Sequence, residues 1–317
     1  NSGFISSVMV VHDHIIRSGF SSDIIMGNAL VNVYAKLGVF NEACKIFSQM
    51  MVQDSVLYSS LIAGYTMHGH GHTALELFGR MQHEVIEPNK IAFSCALNSC
   101  GNFQDIARGL LVHNGLLESG LEVDMDLGIA LMHMYLKCGS LEEACHAFNH
   151  LPHQNQVSWS VMISGYVEHG YGQQALHLFG NMQVEPDIVA FLSAIKACSM
   201  LSALHQGILV HAQVVERACE SDVSIGNSLI DMYAKFGLLE RAEYVFQKLP
   251  VRDEITWTTL MVGFAQLGEI ENVFRIFDKM INEGKKPNQV GFLSILCACS
   301  HGGLVDNGWK YFEAMWG

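Results

Sequence analysis

One recurring spacing constrains this chain more than any other feature. An aromatic residue is followed four positions later by glycine, five further on by alanine, and four beyond that by phenylalanine. It stands as Tyr34, Gly38, Ala43, Phe47; as Tyr65, Gly69, Ala74, Phe78; and as Tyr135, Gly139, Ala144, Phe148. It returns as Tyr166, Gly170, Ala175, Phe179 and as Tyr233, Gly237, Ala242, Phe246. A further copy, Phe264, Gly268, Val273, Phe277, carries two conservative replacements. Self-similarity at a fixed period marks a repeat architecture, in which no single repeat can bury its apolar face alone. The glycine suits the left-handed position that ends a helix. Alanine and phenylalanine then fall one turn apart on one face of a second helix. The small residue admits close approach, and the large one fills the gap to the next hairpin. Glu42, Glu142, Glu143 and Glu240 open several of these second helices, where the helix dipole favours acids.

A second version alternates with the first. Cys100, Gly109 and His113 recur as Cys198, Gly207 and His211, and as Cys299, Gly308 and Phe312, with phenylalanine in the histidine slot. His12 precedes Asp23 by the same eleven residues that separate His113 from Asp124 and His211 from Asp222. These histidines are expected to pack, His211 against the following repeat, rather than to act as bases. Pro88-Asn89, Pro186-Asp187 and Pro287-Asn288 interrupt the chain, because proline disfavours helix in the residue before it. Lengths of 31, 35 and 35 then repeat in threes. The repeats are 24–54, 55–89 and 90–124; 125–155, 156–187 and 188–222; 223–253, 254–288 and a truncated 289–317, with 1–23 as the tail of an earlier one. Repeat 156–187 is three residues short between Met182 and Val184, so its second helix should be clipped by nearly a turn. The predicted fold is all-α, a right-handed superhelical solenoid of antiparallel helix-turn-helix repeats in a single array over 1–317.

These residues resemble the pentatricopeptide-repeat family, and the 31/35/35 alternation is similar to its plant organellar subclass of P, L and S motifs. Repeats 24–54, 125–155 and 223–253 look like S motifs; 55–89, 156–187 and 254–288 like P motifs; 90–124, 188–222 and the two partial repeats like L motifs. Gly27-Asn28-Ala29-Leu30, Gly226-Asn227-Ser228-Leu229 and Ile230-Asp231-Met232-Tyr233 carry the S resemblance. Ser158-Trp159-Ser160 and Thr256-Trp257-Thr258 look like the opening of a P motif. Tetratricopeptide repeats share the hairpin plan at about 34 residues, but their Trp/Leu-Gly/Tyr pattern is absent.

The resemblance implies single-stranded RNA as partner, read at one base per repeat, a rule known for this family rather than derived from these residues. The fifth residue of each repeat and its last residue would face the base, since short donors and acceptors can match a Watson–Crick edge. Carried over, Asn28 with Asp54 would favour U, Ser59 with Asn89 A, and Ser160 with Asp187 G. Asn227 with Asp253 would favour U, and Thr258 with Asn288 A. Ser94 with Asp124, Ile129 with Asn155, Leu192 with Asp222, and Leu293 depart from the pattern. An apolar fifth residue cannot hydrogen-bond a base, so those repeats should discriminate weakly. The implied site is U-A-n-n-G-n-U-A. Ile25, Val56, Val157 and Ile255, at the second position, would wedge between bases. Lys36, Lys137 and Lys235, each eight residues after the fifth, would point at phosphate, whereas Met67, Glu168, Gln266 and Asn102 stand there elsewhere. The alternative is that these lysines offset helix C-terminal dipoles.

Charge argues the other way. With 18 Lys and Arg against 31 Asp and Glu, the formal net charge of −13 lacks the broad basic surface that phosphate binding favours. Screening confines exposed charges to about 8 Å at physiological salt, so bulk charge is not the local field. Affinity is therefore expected to come from base contacts, with weak non-specific binding. Half the chain is hydrophobic and 15% is charged, which excludes disorder of the whole. No apolar run reaches the roughly 18 residues of a membrane span, so a soluble protein is expected. Nine cysteines without a Cys-x-x-Cys pair read as buried small hydrophobes in a reducing compartment. Asn1, Ser2 and Gly3 show no signal or transit peptide, and the array is expected to open and to stop, at Gly317, inside a repeat.

Other chemistry finds little support. His68-Gly69-His70-Gly71-His72 looks like a metal tract, but it falls on a turn without fixed geometry and reads as a solvated turn. Cys297 and Cys299 point to different sides of a helix. A zinc deaminase needs His-x-Glu and a distant Cys-x-x-Cys, and neither is present. No nucleotide loop or nucleophile triad occurs. The expectation is a non-enzymatic array without cofactor or metal. It would position mitochondrial or chloroplast RNA for C-to-U editing, processing or stabilisation, with editing or processing proteins as further partners and neither membrane nor DNA. The second reading is a protein-interaction scaffold without RNA binding.

Overall fold

The computed structural model describes residues 2–18 and 23–314. Residues 1, 19–22 and 315–317, with the expected stop at Gly317, lie outside the described residues. Among the described residues every regular element is an α-helix and no strand occurs. The chain divides into two compact units, Asn1–Gly165 and Tyr166–Gly317.

In the first compact unit α1 (Ser2–Arg17) is followed by the pairs α2 (Ile24–Lys36) with α3 (Phe40–Gln49), and α4 (Ser55–Met67) with α5 (Gly71–His83). Then come α6 (Lys90–Asn102) with α7 (Ile106–Glu118), and α8 (Met125–Lys137) with α9 (Leu141–Asn149). The boundary falls within α10 (Gln156–Glu168). The second compact unit holds α11 (Gly172–Gly180), α12 (Ile188–Met200) with α13 (Leu204–Glu216), and α14 (Val223–Lys235) with α15 (Leu239–Lys248). It closes with α16 (Glu254–Gln266) and α17 (Ile270–Asn282), then α18 (Gln289–His301) and α19 (Val305–Ala314). In each, first helices stack on first helices (α2, α4, α6, α8; then α12, α14, α16, α18), and each also packs on its own second helix. All-α helical hairpins were expected, and hairpins are what each compact unit shows.

The aromatic–glycine spacing has a structural cause. Gly38, Gly69, Gly139, Gly170, Gly237 and Gly268 all have positive φ, between 73° and 83°. The residue after Gly38 donates its N–H to the Tyr34 carbonyl at 2.9 Å, and Gly38 donates to Ala35 at 3.1 Å. This paired closure fixes the aromatic residue four positions before the glycine. At the same place in repeats 90–124 and 188–222 stand Gln104 (φ 55°) and Ser202 (φ 52°), which the glycine pattern did not reveal. The shortened repeat behaves as expected: α11 has 9 residues where α5 and α17 have 13, a loss of four.

Three kinds of aromatic joint link successive hairpins, in the order of the three repeat lengths. After a 31-residue repeat the motif phenylalanine meets an aromatic ring edge-on, as in Phe47–Tyr58, Phe148–Trp159 and Phe246–Trp257, with centroids 4.8–5.0 Å apart. The next joint is Phe78–Phe93, Phe179–Phe191 or Phe277–Phe292, at 5.5–5.9 Å. The third uses the recurrent histidine: Nδ1 of His12, His113 and His211 lies 3.1, 2.6 and 2.7 Å from the hydroxyl of Tyr34, Tyr135 and Tyr233. Edge-to-face pairs contribute about 0.5–1.5 kcal/mol beyond their burial, and the third kind adds a hydrogen bond. The histidines therefore pack against the following repeat, as expected.

The cysteines depart from expectation in part. Cys100, Cys198 and Cys299, the motif positions, are buried, but Cys297 is exposed and the other five are half-buried. Cys297, two residues from Cys299, is turned about 200° from the motif face, and Cys138 and Cys219 lie in the turns after α8 and α13. Cys297 and Cys299 do face different environments. Among the described residues no helix is long and apolar enough to cross a membrane.

Candidate nucleic-acid interface

The last residue of each predicted repeat does a job that its place in a connector did not suggest. It N-caps the first helix of the next repeat. Asp54 accepts the Leu57 backbone N–H at 2.8 Å, Asn89 that of Ala92 at 3.0 Å, and Asp124 that of Leu127 at 3.1 Å. Asn155 caps Ser158 at 2.9 Å, Asp187 caps Ala190 at 2.7 Å, and Asp222 caps Ile225 at 3.0 Å. Asp253 caps Thr256 at 2.7 Å and Asn288 caps Gly291 at 3.0 Å. Asp and Asn are preferred caps because a side-chain oxygen satisfies an orphan helix N–H. The cap also fixes the amide: with Oδ1 taken by the backbone, an asparagine must turn Nδ2, a donor, away from the helix end. An aspartate offers only acceptors.

Three of the predicted pairs meet directly. Asn28 Nδ2 donates to Asp54 at 3.2 and 3.4 Å, Asn89 Nδ2 donates to Ser59 Oγ at 3.1 Å, and Asn227 Nδ2 donates to Asp253 at 3.4 Å. Burial pushes the Asp253 carboxyl up, but hydrogen bonds from the Thr256 backbone and hydroxyl and from Asn227 outweigh it and hold the group below its ordinary value. Ser94 is not joined to Asp124 in this way; Lys90 Nζ reaches Asp124 Oδ2 at 2.7 Å. Ile129 and Leu192 are half-buried and Leu293 is exposed. Ser160 belongs to the first compact unit and Asp187 to the second.

In the 55–89, 156–187 and 254–288 repeats the fifth residue is more enclosed than the sequence suggested. Ser59, Ser160 and Thr258 are 3%, 4% and 5% exposed. Their hydroxyls donate to their own helix, to Val56, Gln156 and both Glu254 and Ile255 respectively. Each hydroxyl thus keeps acceptor capacity only, and in the first of these repeats the half-buried Asn89 Nδ2 fills that of Ser59 and also reaches the Ser55 carbonyl at 3.4 Å.

A cavity of about 290 Å³ gathers the elements of one repeat. Thr258 and Asn288 line it together with Ile255, with Val290 from the next helix, and with Asp231 and Gln266. Ile255 and Val290 hold the second position of successive repeats, so two aliphatic walls flank one polar pair. The same register holds elsewhere: Ile25, Val56 and Val157 are exposed, as are Ile91, Val189 and Val290. Wedges are predicted from the sequence only in repeats that carry a base assignment; counting to position two in every repeat finds Ile91, Val189 and Val290 as well. Gln266 shares its position with Lys36, Lys137 and Lys235, which end α2, α8 and α14. Lys235 pairs with Asp231 at 2.6 Å.

The dismissed constellations have structural roles. His68 and His70 stand edge-on to Phe40, and His72 stacks on Phe103 at 4.0 Å. The three histidines are exposed, but the expected turn ends at His70: Gly71 is buried, and Gly71 and His72 open α5. Among the described residues no cluster of three or more His, Cys, Asp or Glu could hold a metal.

Fold and site together define a helical-hairpin repeat protein in which an Asp or Asn closing each complete repeat caps the next first helix and, in three repeats, meets the fifth residue of its own. Profiles described as PPR repeat family match residues 53–102 and 252–301, and those described as PPR repeat match 28–54, 157–185 and 227–253, together more than half the chain. The chain belongs to the PPR, or pentatricopeptide repeat, family. In Arabidopsis thaliana, the putative pentatricopeptide repeat-containing protein At3g23330 is 33% identical over 96% of this chain and 48% of its own length. The pentatricopeptide repeat-containing protein At4g38010 is 36% identical over 96% of this chain and 55% of its own. The chain thus spans about half the length of these curated relatives. Others from the same plant, 33% and 34% identical, are named mitochondrial and chloroplastic. A crystal structure of PPR10 in complex with an 18-nt psaJ RNA element matches 99% of this chain and 48% of that one, with a TM-score of 0.78 at 18% identity. That likeness shows a shared fold.

Proposed function

We propose that this chain binds single-stranded RNA in a sequence-dependent way, one hairpin of the 24–54 to 289–317 series per nucleotide. The observation that carries the reading is the cavity that Thr258 and Asn288 line together with Ile255 and Val290. A flat base has polar groups at its edge and apolar faces, and that cavity offers the complement of both. Capping supplies the discrimination. An aspartate acceptor matches the ring N–H of uracil or guanine, and an asparagine donor matches the bare ring nitrogen of adenine or cytosine. This agrees with U for Asn28/Asp54 and Asn227/Asp253, A for Ser59/Asn89 and Thr258/Asn288, and G for Ser160/Asp187. The RNA held by PPR10 supports the reading.

The mechanism is positioning rather than catalysis. Bases are unstacked, held between second-position aliphatics and matched at their edges, while Lys36, Lys137 and Lys235 lie toward the backbone. Within the P, L and S scheme the process is selection of C-to-U editing sites, with transcript processing or stabilisation as its neighbour. The relatives named mitochondrial and chloroplastic support an organellar setting.

A gel-shift series tests it, setting an RNA carrying U-A-n-n-G-n-U-A against one with U and A exchanged. Tighter binding of the first is expected. Equal, negligible binding to both supports the protein scaffold instead, a reading that the exposed apolar side chains at one equivalent position of three second helices, Val10, Leu111 and Leu209, independently favour.

A further inference from the structure

We infer that Lys90 is a specificity-determining residue of the 90–124 repeat, reversing the preference that Asp124 would otherwise give; the inference rests on the RNA reading above. Asp124 spends Oδ1 on the Leu127 backbone N–H at 3.1 Å, so only Oδ2 can turn toward a base. That oxygen accepts from Lys90 Nζ at 2.7 Å. The lysine's hydrogen bond is the main cause holding the Asp124 carboxyl below its ordinary range. Lysine stands at the first position of this repeat alone; Ile24, Ser55, Met125, Gln156, Ile188, Val223, Glu254 and Gln289 occupy it elsewhere. No other last residue therefore has an ammonium group rising from the first turn of its own repeat. An ammonium carries three N–H donors and no acceptor, and Asp124 engages one of them. The side chains of Lys90 and Asp124 are 43% and 44% exposed, so the remaining donors stand at an open edge.

The outward chemistry of the repeat is thus that of a donor, although its last residue is an aspartate. A base whose central ring position is a bare nitrogen, adenine or cytosine, can accept from Lys90. Uracil and guanine bring an N–H to the same point and meet the ammonium donors ahead of the one lone pair left on Asp124 Oδ2. Ser94, half-buried on the same helix, leaves the readout to the lysine. The repeat carries no base assignment in the implied site because Ser94 with Asp124 departs from the pattern. With Lys90 included, it discriminates.

The experiment uses the whole chain and four RNAs of sequence U-A-X-n-G-n-U-A, with X each of the four bases, titrated by gel shift. A fifth RNA has A in place of the second U, as a control that Lys90 cannot influence. The unsubstituted protein should bind X as A or C about tenfold more tightly than X as U or G, the scale of a charge-assisted hydrogen bond. Lys90→Met should invert that order, because Asp124 Oδ2 becomes available. Adding Asp124→Asn to Lys90→Met should restore it, because the capped amide presents its own donor. An unchanged order at X in Lys90→Met, with the control RNA still weakened, overturns the inference and leaves the RNA reading intact. So does a uniform loss across all four bases, which would make Lys90 a phosphate contact. Insensitivity to the control exchange as well would bring down the underlying reading and the inference with it.

Discussion

Asn89 Oδ1 accepts the Ala92 N–H at 3.0 Å while its Nδ2 reaches Ser59 Oγ at 3.1 Å, so one amide closes a helix and orients the candidate base pair. The two roles separate on substitution. Asn89→Asp keeps the cap, because aspartate is an equally good one, but exchanges an amide donor for a carboxylate acceptor. Urea unfolding should shift by less than about 0.5 kcal/mol, while the preferred second nucleotide moves from A toward G or U. Asn89→Ala loses both roles and should destabilise by about 1 kcal/mol. A large stability loss in Asn89→Asp would show that the donor, not the cap, holds the local structure.

The Asn227–Asp253 pair gives a transfer of specificity. Asn227 Oδ1 is buried without a partner, and the same is true of Asn28. Replacing Asn227 by threonine removes that orphaned carbonyl, and Thr258 shows that such a hydroxyl is accommodated at the fifth position by bonding to its own helix. Asn227→Thr with Asp253→Asn should therefore keep the helix content by circular dichroism. In the gel shift the seventh nucleotide should change from U to A. Retention of U would separate the base assignment from the fold.

Much of this was legible in the sequence, and the gaps have physical reasons. Tyr34 and Gly38, Ala43 and Phe47, and His211 with its counterparts are set by backbone closure and by repeated packing, which leave a fixed spacing. The capping role of Asp54 or Asn89 left an equally plain signal, a short polar residue just ahead of a helix, but it was read only as a connector. Gln104 and Ser202 take the left-handed turn without glycine and so leave no trace in composition. The enclosure of Ser59 and Thr258 depends on how closely neighbouring first helices approach. A Cβ on Gly263, for instance, would stand 2.6 Å from the Ala234 Cβ, a tertiary distance that no local pattern encodes. Lys90 escaped because its partner lies 34 residues away.

The histidine joints make stability depend on pH. Burial pushes the imidazoles of His113 and His211 below the usual value, with Arg241 adding to the effect at His211 and Glu220 opposing it. A depressed folded value means that the unfolded chain binds the proton more readily. Their contribution is whole above the unfolded pKa, about 6.5, and is lost as pH falls through it toward the folded value. The urea midpoint should drop between pH 7.5 and about 5.5. His113→Phe with His211→Phe should flatten that part of the curve, because phenylalanine keeps a planar ring and carries no titrating proton. Tyr135→Phe should cost about 1 kcal/mol at pH 7.5 by removing the 2.6 Å bond to His113. A midpoint equally steep with and without the histidines would place the titration elsewhere.

The left-handed turns offer a test whose sign differs between equivalent positions. Gly237 has φ 73°, and a Cβ built there meets nothing within 4 Å, so Gly237→Ala introduces backbone strain and no clash. Left-handed backbone costs an L-residue roughly 1–2 kcal/mol, and the stiffer unfolded chain returns about 0.4–1 of that. A net loss of about 1 kcal/mol in urea unfolding is expected. Gln104 already bears the strain at φ 55°. Gln104→Gly should relieve it while giving back the same unfolded-state entropy, so the same terms reversed predict a gain of about 1 kcal/mol. Should Gln104→Gly instead destabilise by as much as Gly237→Ala, the glutamine side chain itself would be holding the turn. The glycine in the spacing would then be one of several ways to close a hairpin, not the energetically favoured one.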